Sequence, residues 1–333
     1  MKKLGLLFLC ILQISCAIKG QEKFNGVSFV GSRDKALQEN VDAIIAINTN
    51  YAAVMPFGFI RNVNSPTIVF NTENQWFGET KEGTKQYIEL LHKNNVKVML
   101  KPQIWIWKGE FTGTLAMKTE KDWSALEKSY SNFIITYAAL AEEKKVSILC
   151  IGTELELFVE NRPDYWKELI KDIREIYKGK LTYAANWDEF KRTSFWEDLD
   201  YIGIDAYFPL SDKKTPTIIA LKKGWQKHKK VIAATSKEKN KPVLFTEYGY
   251  RSTDFNTDKP WNVDRHRNPV NLKAQSNAIQ AILEEFWEED WFAGGFVWKW
   301  FIDYEKAGGD KDNRFTPQNK PAQEVLKNYY KKH

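Results

Sequence analysis

Two segments of this chain, Leu149-Cys150-Ile151-Gly152-Thr153-Glu154 and Val243-Leu244-Phe245-Thr246-Glu247-Tyr248-Gly249, share one design: an apolar run that leads into Thr-Glu. Such a run reads as a strand buried on both faces, and a carboxylate just past its end sits at the carboxyl edge of a sheet. If both strands belong to one parallel barrel, Glu154 and Glu247 come from different strands yet project into the same mouth. Two carboxyls across one cleft are the working parts of glycoside hydrolysis. Hydrolysis with retention needs one as nucleophile and the other as acid, then base, roughly 5 to 5.5 Å apart. A single strand-end glutamate is more simply a salt-bridged rim residue. Two of them, beside Asn186-Trp187, Asp205-Ala206-Tyr207 and Trp298-Lys299-Trp300 at other strand ends, favour chemistry. Glu156 rivals Glu154, because i and i+2 share a face in an extended segment; the strand-end position favours Glu154. Asp205 is expected to brace the rim.

The elements that must position these residues alternate along the chain. Strands are expected near Gly26 to Val30, Ala52 to Met55, Val96 to Leu100, Ser147 to Ile151, Leu181 to Ala184, Tyr201 to Ile204, Val243 to Phe245 and Gly295 to Val297. Helical patterns lie between them, clearest at Glu82 to Asn94, Trp123 to Lys144, Asp164 to Lys178, Thr217 to Lys237 and Leu272 to Glu289. Eight βα alternations without a linker or composition break predict an α/β protein, a single (β/α)8 TIM barrel. The runner-up, a doubly wound open sheet, lacks its Gly-rich phosphate loop: Gly294-Gly295 and Gly308-Gly309 are isolated pairs. The longest loops, Phe57 to Gln75, Ile104 to Glu120, Arg251 to Val270 and Trp300 to Lys320, each follow an expected strand, which puts them on the barrel's functional face.

Composition narrows the classes further. The 333 residues include 13 Trp, 14 Tyr and 20 Phe, an aromatic share of 14% that exceeds what packing asks and suits a cleft for the apolar faces of sugars. The net charge of +6 counts Lys2 and Lys3. The one basic cluster, Lys222-Lys223 with Lys227 to Lys230, holds only Trp225 among aromatics, so no nucleic-acid surface is expected. Met1-Lys2-Lys3 and the apolar stretch Leu4 to Ile14 have the parts of an export signal, too short for a permanent membrane helix. Ile14-Ser15-Cys16 resembles a bacterial lipoprotein cleavage site, although Gln13 stands where Leu is favoured. A periplasmic or cell-surface protein anchored through a lipid on Cys16, or a secreted one, is therefore expected. Cys150 is the lone cysteine of the folded part and reads as a buried hydrophobe. A metal-dependent hydrolase would need several His and Asp ligands at strand ends. His92, His228, His266 and His333 follow no strand, and His92 and His228 read as solvated surface residues. No metal and no cofactor are expected, and the Ser elbow motif is missing as well.

The motifs also carry a family resemblance. The acid after the fourth strand and the acid after the seventh resemble clan A of the glycoside hydrolases. Gly26-Val27-Ser28-Phe29, Leu100-Lys101-Pro102-Gln103-Ile104-Trp105, Ile151-Gly152-Thr153-Glu154-Leu155 and Thr246-Glu247-Tyr248-Gly249-Tyr250-Arg251-Ser252 are similar to family 113, whose characterised members are endo-acting β-1,4-mannanases. The resemblance spans roughly Phe24 to Phe301. It implies Glu154 as acid/base, Glu247 as nucleophile and Trp298 as the platform beneath the cleaved sugar. It also implies Tyr207 as hydrogen-bond donor to the nucleophile, with Tyr248 as rival, and Asn186, Trp187, Gln103 and Trp105 along the substrate cleft. Two departures stand out: Thr153 precedes the acid/base where the clan commonly has Asn, and Gln103 stands where related chains often have His. The expected organisation is a signal segment over 1–16 and one hydrolase domain over 22–333, acting on mannan-type polysaccharides or oligosaccharides. A non-catalytic carbohydrate-binding barrel, or a clan A enzyme for another β-linked glycan, is the alternative. Oligomeric state stays open.

Overall fold

The computed structural model describes residues 22–262 and 269–333. The leader with Cys10 and Cys16, and His266, lie outside the described residues.

Eight parallel strands close into one barrel: Phe24–Val30, Tyr51–Val54, Lys97–Leu100, Ile148–Thr153, Lys180–Asn186, Ile202–Ala206, Val243–Tyr248 and Phe292–Phe301. They are called barrel strands one to eight below. Every expected strand is present, because each is a short apolar run of the kind that a sheet covered on both faces demands.

Side chains alternate in and out. Phe24, Tyr51, Met99, Ile148, Cys150, Ala184, Leu244 and Phe296 pack together in one buried cluster that fills the barrel. Their neighbours Val98, Leu149, Phe245 and Val297 face the other way, into the layer shared with the helices. That layer follows helical spacing. Helix Pro163–Ile176 starts with proline in its first turn and buries Trp166, Leu169, Ile170 and Ile173, the i, i+3, i+4, i+7 stripe of an amphipathic helix. Helices Glu120–Glu143 and Ile218–Lys239 are capped by Thr119 and Thr217, whose hydroxyls accept from backbone N–H groups in the first turn.

Three helices escape the sequence reading: Gln38–Ile45, Glu156–Asn161 and Pro321–Tyr330. The first two span eight and six residues, too short for a clear periodic signal. Two of the expected loops also contain strands. Phe57–Ile60 and Gln103–Ile106 form a two-stranded parallel sheet above the barrel, which turns Gln103 and Trp105 from loop residues into members of a braced wall. The histidine reading needs correcting: His92 and His228 are both half-buried, and His228 has Nε2 3.0 Å from the Pro209 carbonyl and its ring against Phe208. Two lysines of the basic cluster are paired with acids, Lys222 with Glu284 and Lys229 with Glu289.

Candidate active site

Inward parity places the first unexpected member of the site. Met99 faces the barrel interior, so Lys101, two residues on, does too. Its side chain is fully buried. An ammonium has three N–H groups, and here they meet three carboxylate oxygens: Glu247 Oε1 at 2.5 Å and Asp205 Oδ1 and Oδ2 at 3.2 and 3.3 Å. Burial opposes the charge on Lys101, but Asp205 and Glu247 outweigh it and hold the lysine protonated beyond its ordinary range. Asp205 also accepts from Thr246 Oγ1 at 2.7 Å. Burial, then the Glu247 charge, pushes Asp205 above the usual carboxylate range, while Lys101 and Thr246 pull against them. Asp205 is thus no rim brace. It is a floor residue, 1% exposed, in contact with the cleft.

Glu247 is the most firmly held carboxyl of the mouth. Oε1 accepts from Lys101 and from Gln103 Nε2 at 3.1 Å, and Oε2 accepts from Tyr207 OH at 2.6 Å. Tyr207 lies two residues after Asp205, on the same face, with its ring edge-on to Phe315.

Tyr248 sits elsewhere. Its hydroxyl meets Tyr330 OH at 2.6 Å and its ring packs on Trp287, within the helix layer. Continuing the alternation from Leu244 would turn Tyr248 inward. The register instead slips, pairing Ile204 with Phe245 but Asp205 with Glu247. The extra residue lets Thr246 and Glu247 both reach the barrel mouth and sends Tyr248 out. Tyr248→Phe is expected to leave kcat/KM within about twofold of wild type while lowering stability by about 1 kcal/mol, read by steady-state kinetics and chemical denaturation.

Glu154 follows barrel strand four directly. Its backbone is left-handed, φ 49°, a conformation costing a non-glycine residue roughly 1–2 kcal/mol. Neighbouring bonds hold it there. Glu154 N–H donates to the Ala184 carbonyl at 2.8 Å, and Leu155 N–H donates to Tyr183 OH at 2.7 Å, which donates to Glu189 Oε1 at 2.7 Å. Burial pushes Glu189 up to about 7. The Glu154 carboxyl is raised well above its ordinary range, first by burial, then by the charges of Asp205 and Glu247, with Lys101 acting the other way. Its carboxyl is thereby biased toward the protonated form, whereas Glu247 presents both oxygens to donors. Glu156 starts a helix and pairs with Arg192, so the shared face that made it a rival does not form.

One cleft of about 400 Å³ contains Glu154, Glu247 and Asp205. Gln103, Trp105 and Trp298, the residues that the resemblance implies there, are among its lining, and Thr153, Phe111, Trp261 and Lys299 join them. Trp105 and Trp261 are about half exposed, at 45% and 48%. Asn186 and Trp187 stand behind this wall: Asn186 Oδ1 accepts from Trp187 N–H at 2.8 Å, and the Trp187 ring stacks on Trp261, 5.2 Å between centroids. Sequence reasoning missed Lys101, Tyr183, Glu189 and Trp261. Only Lys101 carried a signal, a charge directly after the apolar run Val98-Met99-Leu100 at inward parity.

A closed parallel barrel with two carboxyls from different strands in one aromatic-lined cleft defines the class: a (β/α)8 glycoside hydrolase. The model of Glycoside Hydrolase Family 113 matches residues 29–320, and the chain belongs to that family. No curated protein sequence matches the chain. Among solved structures, a GH113 β-mannanase from Alicyclobacillus acidocaldarius is similar with TM-score 0.80 and 24% identity, over 93% of this chain and 97% of that one. A GH113 β-1,4-mannanase is similar with TM-score 0.80 and 23% identity, over 94% and 100%. A β-glucuronidase from Faecalibacterium prausnitzii, at TM-score 0.62 and 15% identity, covers 93% of this chain with 49% of its own. These likenesses speak to the fold.

Proposed function

We propose that this protein hydrolyses β-1,4-mannosidic bonds of mannan-type polysaccharides or oligosaccharides with retention, Glu247 acting as nucleophile and Glu154 as acid/base. The observation that carries the reading is the contrast between two carboxyls of one cleft: Glu247 fixed by three donors, Glu154 poised to carry a proton. The sugar follows from family membership and from the β-mannanase neighbours, which share the barrel over nearly its whole length.

In the first step a Glu247 oxygen attacks the anomeric carbon, the glycosidic C–O bond breaks, and Glu154 gives its proton to the departing oxygen. In the second, Glu154 takes a proton from water, the water oxygen attacks the anomeric carbon, and the ester to Glu247 breaks. Tyr207 and Gln103 keep the nucleophile aimed, and Trp298 supplies a flat face beneath the sugar. Purified protein assayed against manno-, cello- and xylo-oligosaccharides tests the substrate. Release of shorter manno-oligosaccharides with β-configured products is expected; turnover confined to the cello or xylo series would reject mannose. Export with a lipid on Cys16 belongs to the same proposal and rests on residues 1–16; recovery of the native protein in membranes, lost in Cys16→Ala, tests it.

A further inference from the structure

Retaining hydrolysis removes the charge of the nucleophile halfway through: esterified Glu247 no longer offers a carboxylate to Lys101. A buried ammonium left without a partner is strongly unfavourable. Here it keeps one, since two of its three contacts go to Asp205. Asp205 in turn accepts from Lys101 through both oxygens and from Thr246. The three hydrogen bonds from Lys101 and Thr246 favour its ionised form against burial and the Glu247 charge, and esterification of Glu247 removes the second of these opposing influences.

We propose that Lys101 and Asp205 form a buried positioning pair that fixes the Oε1 edge of Glu247 and keeps a negative charge facing Glu154 through both halves of the reaction. Neither residue need touch substrate for this. Lys101 works by orienting Glu247, and Asp205 works by keeping Lys101 compensated when Glu247 is consumed and by favouring the protonated form of Glu154 before the first step.

The groups around Glu154 come from several elements. Lys101 follows barrel strand three, Glu189 lies behind strand five, Asp205 and Tyr207 stand on and after strand six, and Glu247 on strand seven. Cys150, on strand four, faces Lys101. Glu110 and Lys299 line the same cleft, while the sides after strands one and two contribute uncharged Val30, Met55 and Phe57. Within this set Asp205 raises the Glu154 carboxyl and Lys101 lowers it. The general acid works below its pKa and fails above it, so the basic limb of kcat/KM reports Glu154. Removing the Asp205 charge therefore moves that limb to lower pH, and removing the Lys101 charge moves it to higher pH.

This inference rests on the roles proposed for Glu154 and Glu247, and the experiment separates the two. The kcat/KM of the full chain on a soluble β-mannan is followed against pH for wild type, Asp205→Asn, Lys101→Met and Lys101→Arg. The expected result is a basic limb lower by about one pH unit or more in Asp205→Asn and higher by a similar amount in Lys101→Met. Lys101→Arg, which keeps the charge, restores the wild-type limb. Asp205→Asn is nearly isosteric, so it decides alone if the Lys101 variants show no cooperative thermal transition. An Asp205→Asn profile lowered evenly at every pH, with the limb unmoved, overturns the proposal and leaves Asp205 a merely structural residue. If wild type releases no reducing ends from mannan, the substrate assignment fails instead, and the limbs are read on whichever β-glycoside it cleaves.

Discussion

Glu247→Ala is expected to lose turnover by about 10⁴-fold or more, since no other group can form the covalent intermediate. The fold should survive. Lys101 keeps its two contacts to Asp205 when Glu247 is truncated, so no bare ammonium remains in the barrel, and far-UV circular dichroism with a thermal melt should stay cooperative. Wild type incubated with an activated 2-fluoro-β-mannoside should accumulate a glycosyl-enzyme, because the electron-poor sugar slows the second step. Peptide mapping should place the label on the peptide containing Glu247. A label on Asp205 or Glu154 would reject the assignment.

Glu154→Ala should give the second-largest loss, with an effect that depends on the leaving group. A mannan bond departs as a poor alkoxide and needs the proton, so hydrolysis of the polymer should fall by about 10²–10⁴-fold, the usual worth of a positioned general acid. Formation of the glycosyl-enzyme from an aryl glycoside whose phenolate leaves unaided should be little changed. Azide, which needs no base, should enter the space vacated by the carboxyl, restore turnover and yield the β-glycosyl azide. The basic limb of the pH profile should vanish along with Glu154. Glu156→Ala should behave almost like wild type, because Glu156 pairs with Arg192 at a helix start away from the cleft. Wild-type activity on mannan in Glu154→Ala, together with loss in Glu156→Ala, would reverse the two assignments.

What the amino-acid sequence determined by itself is whatever depends on short-range pattern. The eight strands are short apolar runs, the helices between them have an apolar stripe, and each of the two glutamates ends one of those runs. Such signals survive without knowledge of neighbours. The parallel order follows almost of necessity once strands and helices alternate, and with it the placing of both glutamates at one mouth. The family motifs are equally local, and for that reason they were legible.

Tertiary structure decided what depends on partners far along the chain. Lys101 shows in sequence only as a charge that ends an apolar run. It becomes part of the site only because strands three, six and seven bring Asp205 and Glu247 to it across 104 and 146 residues. The fate of Tyr248 depended on a register slip between strands six and seven. Inward parity counted along one strand cannot foresee a bulge set by the strand beside it. The same holds for Glu154. Its left-handed turn is held by the Ala184 carbonyl and by the Glu189–Tyr183–Leu155 chain of hydrogen bonds, and none of these contacts is written in the Thr-Glu dipeptide. Local pattern chooses which residues stand at the mouth of a barrel, whereas the direction each side chain points, and the charge it carries there, are settled by the neighbouring strands.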